Sequence, residues 1–181
     1  MLESLAFAIL DYFAMTIQKL KSLDEIVKIR TKLRAAGKKL VFTNGCFDIL
    51  HVGHVRYLNQ ARAMGDVLVV GLNTDNSVRQ FKGEGRPIVP ELERAEVLAA
   101  LACVDYVFLF GDPTPQRVID AIVPDVLVKG ADWNLSEIVG RETVEAAGGK
   151  VCNLPLVEQA STSGIIETVL KRFSAGVKSR K

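Results

Sequence analysis

The sequence predicts an α/β fold: a Rossmann-like, doubly wound parallel sheet of five strands with helices on both faces. Three observations predict it. Five apolar, β-rich runs lie at 39–43, 67–73, 104–110, 125–129 and 150–154. Stretches of helical period separate or follow them, at 54–64, 91–101, 115–122, 141–147 and 163–173. The dipeptides Gly65-Asp66 and Gly148-Gly149 stand where a helix should end and a strand begin. Regular strand–helix alternation is the pattern of a parallel sheet buried on both faces.

The first helix opens at Ser22-Leu23-Asp24-Glu25, a capping-box pattern. Leu23, Ile26, Val27, Ile29 and Leu33 give it one apolar face, and Gly37 stops it. Ahead of it, residues 2–15 are rich in Leu, Ala, Phe and Ile, but Glu3 and Asp11 interrupt the run. No Lys or Arg precedes it and no clear cleavage site follows, which argues against a signal peptide. The run is also too short to span a bilayer. The expected organisation is an N-terminal extension over 1–21, one catalytic-sized domain over 22–173, and a basic tail over 174–181.

Composition narrows the function classes. The 181 residues suffice for one domain with a proper core. Net charge is +2, from 23 basic against 21 acidic residues. That small excess argues against nucleic acid or an anionic membrane as the main partner. Cys46, Cys103 and Cys152 lie far apart, without a CxxC pair. This fits a reducing compartment, and the cytoplasm is the expected location.

In an open parallel sheet, ligands bind beyond the carboxyl ends of the strands. The residues there are 44–54, Thr74-Asp75, Gly111-Asp112 and 130–133. The first group reads Asn44-Gly45-Cys46-Phe47-Asp48-Ile49-Leu50-His51-Val52-Gly53-His54 and holds both histidines of the chain. A helix begins there, so its unpaired amides face the same place as the imidazoles. Gly53 is expected to let backbone approach a bulky anion. Phosphate is the ligand this combination suits, and Asp48 is too lone a companion for a metal pair.

The segment resembles the His-x-Gly-His signature of the nucleotidyltransferase superfamily, and Ser161-Thr162-Ser163 resembles its second signature, opening the last helix. Within that superfamily the stretches Phe42-Thr43-Asn44-Gly45-Cys46-Phe47-Asp48, Phe81-Lys82-Gly83-Glu84-Gly85-Arg86-Pro87, Pro124-Asp125-Val126-Leu127-Val128-Lys129-Gly130 and Ser161 through Ile166 are similar to the D-glycero-β-D-manno-heptose 1-phosphate adenylyltransferase branch. The likeness covers about residues 22–173 and looks like a form without an attached kinase domain.

The resemblance implies transfer of an adenylyl group from ATP to the sugar phosphate, giving ADP-heptose for lipopolysaccharide or surface glycans. It implies His51, His54, Lys82 and Lys129 as catalytic residues. Thr43, Asn44, Gly45, Cys46, Phe47, Gly53, Asp132, Ser161, Thr162 and Ser163 would hold the nucleotide. Asp48, Asn73, Asp75 and Arg94 would face the sugar phosphate, with Asp48 alternatively bracing the loop by bonding backbone amides and Arg94 equally able to serve as a structural ion-pair partner. Lys82 is expected in a flexible, Gly-flanked loop. Magnesium is expected on the phosphates, without a dedicated protein cage, and a homodimer by family analogy. Two alternatives stay open: a cytidylyltransferase acting on a substrate such as glycerol 3-phosphate, and a non-catalytic nucleotide-binding module.

Overall fold

A computed structural model describes residues 16–130, 134–155 and 160–174. Five strands form one fully parallel sheet: β1 (Leu40–Gly45), β2 (Val67–Asn73), β3 (Tyr106–Phe110), β4 (Val126–Gly130) and β5 (Lys150–Leu154). Their order is β3-β2-β1-β4-β5, so the connection direction reverses between β1 and β4. The expected doubly wound fold is present, with each strand within two residues of its predicted bounds. The helices are α1 (Leu23–Ala35), α2 (Val52–Arg62), α3 (Asp75–Lys82), α4 (Glu91–Ala99), α5 (Gln116–Ile122), α6 (Arg141–Ala146) and α7 (Thr162–Phe173). α3 is an addition to the helices the sequence predicts. Thr74 caps it, its side chain accepting from the Ser77 amide.

Alternation along the central strands builds two cores. Val41, Leu68, Val70, Leu72 and Val128 face α2 and α4, against Leu58, Ala61 and Leu98. Leu40, Phe42, Val69 and Leu127 face the other way, onto Ile26 of α1, Ile119 and Ile122 of α5, and Val144 of α6. At the amino ends of the strands, aspartates take the free amides. Asp66 accepts from Lys39, Asp105 from Leu68 and Asp125 from Leu40, each at 2.7 Å. Asp125 also takes a two-pronged bond from buried Arg30. The anchoring carboxylates thus sit at one end of the sheet and leave the other end to ligands. Among the described residues no helix is long and apolar enough to cross a membrane.

Residues 16–21, which the sequence places in the extension, lie against this sheet. Thr16 is buried, Leu20 bridges Val107 in parallel, and the Lys21 amide donates to the Val107 carbonyl at 2.9 Å. Lys19 Nζ reaches the Leu101 carbonyl at 3.2 Å. We expect a chain beginning at Met15 to keep the melting temperature and solubility of the full chain. One beginning at Ser22 should melt several degrees lower, since a loss of about 1 kcal/mol moves a domain of this size by about 2–4 °C. Circular dichroism melting of the three chains checks this, and equal values for all three would refute it.

Candidate functional site

β1 ends at the reversal of strand order and delivers the first site segment. Phe47 has φ 44°, a left-handed conformation that costs a residue with a Cβ about 1–2 kcal/mol. Packing offsets it: Phe47 is buried, and its ring lies 5.2 Å from the ring of His54. The turn brings the chain to His51, the extended residue before α2. No side chain caps this helix and its first turn holds no acidic residue, so its leading amides remain open to an anion.

The His51 and His54 rings stack with centroids 3.9 Å apart. The Nδ1 atom of each is buried and has no hydrogen-bond partner among the described residues. Burial holds the His51 pKa below its ordinary value. His54 is pushed down to about 4, by burial first and by the nearness of His51 second. Both rings are therefore neutral near pH 7, able to donate one N–H each without carrying a charge into the cleft. Gly53 serves this pair in a way the sequence did not reveal. A Cβ there would come within 2.9 Å of the His51 ring and 3.2 Å of Ala160 Cβ. The space expected for an approaching anion is filled by His51 itself, so Gly53 sets the ring's place.

β4 and α7 close the other side. Lys129, near the end of β4, donates from Nζ to Asn44 Oδ1 at the end of β1. That bond crosses the point where the strand order reverses. Ser161 caps α7 by accepting from the Gly164 amide at 3.0 Å, and Thr162 Oγ1 donates to the Ile49 carbonyl at 3.3 Å. The Ser-Thr segment is thereby tied to the histidine segment. Ser163 is exposed and does not line the cleft.

The sugar-facing set predicted from sequence divides. Asn73 lines the cleft and donates from its amide to Ser77 Oγ at 3.2 Å. Asp48, Asp75 and Arg94 lie in the supporting structure instead. Asp48 is buried, accepts from the Ile88 and Val89 amides at 2.8 and 2.9 Å, and pairs with Arg86. Those amides hold its carboxyl below the usual carboxylate range against the opposing effect of burial, which is the largest single influence. Arg94 is buried and donates to the carbonyls of Cys46, Asn73 and Val89 and to Asp75 Oδ1. Its structural reading is the one its contacts match. Thr43 is likewise beneath the floor, with Oγ1 2.7 Å from the Tyr57 hydroxyl. Lys82 is the last residue of α3, ended by Gly83 at φ 88°, and so stands on a helix rather than in a loop. Asp132 lies outside the described residues.

These elements enclose a cleft of about 720 Å³ over the carboxyl ends of the strands. Asn44, Gly45, Cys46, Phe47, His51, Gly53, His54, Asn73, Lys82, Lys129, Ser161 and Thr162 all line it. Burial pushes the Cys46 thiol up, so it is not a thiolate. The sequence reading missed an apolar wall formed by Phe81, Phe110, Pro113, Pro115, Ile138 and Val139. It also missed Tyr57, whose hydroxyl reaches the Val128 carbonyl at 3.1 Å.

A profile described as cytidylyltransferase-like matches residues 42–168. The bifunctional protein HldE of Citrifermentans bemidjiense is 56% identical over 155 residues, which is 86% of this chain and 32% of that protein. HldE of Syntrophotalea carbinolica is 48% identical over 174 residues, 96% of this chain and 35% of its own. The chain spans about a third of the length of these curated relatives. Among solved structures, the lipopolysaccharide core biosynthesis protein from Thermoplasma volcanium superposes with a TM-score of 0.57 at 28% identity. That match covers 68% of this chain and 100% of the other.

Two measurements follow from the histidine geometry. Gly53→Ala should displace the His51 ring and abolish the stack while leaving the fold intact, seen as a shifted His51 ring resonance at unchanged secondary structure. An unmoved resonance would refute the steric assignment. The second concerns pH. An unfolded chain takes up a proton on this histidine near 6.5, whereas folded His54 resists until about 4. The folded state therefore loses stability as pH falls through that interval, and this group costs nothing further below it. Melting temperatures of His54→Gln should fall less steeply than wild type between pH 6.5 and 4; parallel curves would count against the depressed pKa.

Proposed function

We propose that this chain, which belongs to the cytidylyltransferase-like family of nucleotidyltransferases, joins ATP to D-glycero-β-D-manno-heptose 1-phosphate and releases pyrophosphate. The observation that carries the transferase reading is the pair of stacked, neutral imidazoles whose Nδ1 atoms have no partner among the described residues, at a helix start without a side-chain cap. The choice of ATP and heptose phosphate rests on the four sequence stretches and on similarity to the HldE proteins.

In this reading an oxygen of the sugar's anomeric phosphate attacks the α-phosphorus of ATP. The bond from that phosphorus to the bridging oxygen breaks, and pyrophosphate leaves with the electron pair. The nucleophile is already ionised, so no general base is needed. The work of the protein is to hold two anions in line and to stabilise charge as it develops. The leading amides of α2, the imidazole N–H groups, Lys129 and the Ser161–Thr162 segment supply donors on one side. Lys82 supplies a cation on the other, close to Cys46. Among the described residues no group of three or more His, Cys, Asp or Glu is arranged to hold a metal ion. Magnesium would enter on the triphosphate, as part of the substrate. The chain would act in the cytoplasm, as a homodimer by family analogy, and its product would serve heptose-containing glycans.

The decisive test is kcat/KM for ATP or CTP combined with heptose 1-phosphate or glycerol 3-phosphate, followed by pyrophosphate release. ATP with heptose 1-phosphate should exceed the other three by orders of magnitude, because polar groups left unpaired by a wrong partner cost free energy. A preference for CTP with glycerol 3-phosphate would overturn the substrate assignment and keep the chemistry. His54→Ala and His51→Ala should each lower kcat by about 10²–10³-fold with the fold retained. Near-normal turnover by either variant would sink the phosphate-site assignment.

A further inference from the structure

The cleft is built for anions, yet one wall holds a carboxylate. Among the described residues lining it, Asp112 is the sole Asp or Glu. It lies just beyond β3, at the edge of the sheet, between Gly111 and the stiff Pro113-Thr114-Pro115 segment. Arg117, the second residue of α5, grips it with two prongs: Nε to Oδ1 at 2.7 Å and Nη2 to Oδ2 at 2.8 Å. The grip keeps the carboxyl below its usual range, so it is ionised at neutral pH.

Arg117 offsets the charge of Asp112, and the lone pairs that remain can only accept, so they suit a hydroxyl of a ligand and not a phosphate oxygen. Strand order gives the distance. β3 is two strands from β1, about 10 Å at the spacing of neighbouring strands. The phosphate-facing donors follow β1 and β4 or open α7, while Asn73 ends β2 and Asp112 follows β3, and Lys82, at the end of α3, lies close enough to Cys46 to act on its thiol. One cation, one amide and one fixed carboxylate match a molecule with one anionic group and several hydroxyls. A nucleoside triphosphate, with its charge already met at the α2 and α7 ends, matches them poorly. Each oxygen of Asp112 keeps a second lone pair after bonding Arg117, free to accept from a hydroxyl.

Building on the adenylyltransferase reading, we propose that Asp112 is a specificity-determining residue that accepts hydrogen bonds from sugar hydroxyls of the acceptor, with Arg117 as its positioning residue.

The test is Asp112→Asn, which keeps shape and removes the charged acceptor, together with Arg117→Gln. Hydrogen bonds to a charged group are strong enough that KM for heptose 1-phosphate should rise about tenfold or more. KM for ATP and the affinity for a non-hydrolysable ATP analogue should stay within about twofold, at unchanged melting temperature. Arg117→Gln should raise the same KM by less, and Asp112→Glu should recover part of the loss. An altered ATP constant instead, or no change in either constant, would overturn the proposal. Failure of the reading beneath it would look different: wild-type protein would then release no pyrophosphate from this substrate pair at all.

Discussion

Arg94 is the interaction on which the candidate site depends. A guanidinium with almost no solvent contact is costly unless it is well hydrogen-bonded, and here Nε, Nη1 and Nη2 together donate to four acceptors. Those acceptors come from the loop after β1, the end of β2, the first turn of α3 and the segment before α4. One planar, rigid group therefore sets the relative positions of four chain segments that share no continuous secondary structure. Asp48 repeats the device from the opposite charge, taking Arg86 and two amides of the same segment. Together they make the cleft floor a fixed surface before any ligand arrives.

That rigidity suits the chemistry of the cytidylyltransferase-like family. Transfer between two anions gains little from new covalent partners and much from donors already in place. In the proposed reaction the stacked imidazoles would be such donors. Burial lowers the pKa of both rings, Gly53 leaves room for His51, and the left-handed turn at Phe47 places the aromatic ring that buttresses His54. None of these contacts involves a flexible side chain searching for its ligand.

Much of this was legible in the sequence, where a residue's meaning was local. Strands show in the sequence as apolar runs, the histidine segment through its position at a strand-to-helix junction, and Ser161–Thr162 only through resemblance to a family signature. Helix α3 was not legible, because Thr74, Asp75, Asn76 and Ser77 are turn formers by type and only Val78 in that stretch is an apolar residue buried in the core. Asp48, Asp75 and Arg94 carry charges that serve ligand or scaffold equally well, and only the direction of the side chain decides. The apolar wall from Phe81 to Val139 joins residues far apart in sequence, so no window along the chain displays it.

The short stretch at Leu20 and Lys21 has a consequence away from the cleft. β3 is an outer strand, and an outer strand offers a row of backbone donors and acceptors to any passing chain. The Leu20 bridge and the Lys21 amide occupy part of that row at Val107. The segment works as a guard rail: it uses the protein's own backbone to close off part of a surface on which stray strands would otherwise add beside the five described strands.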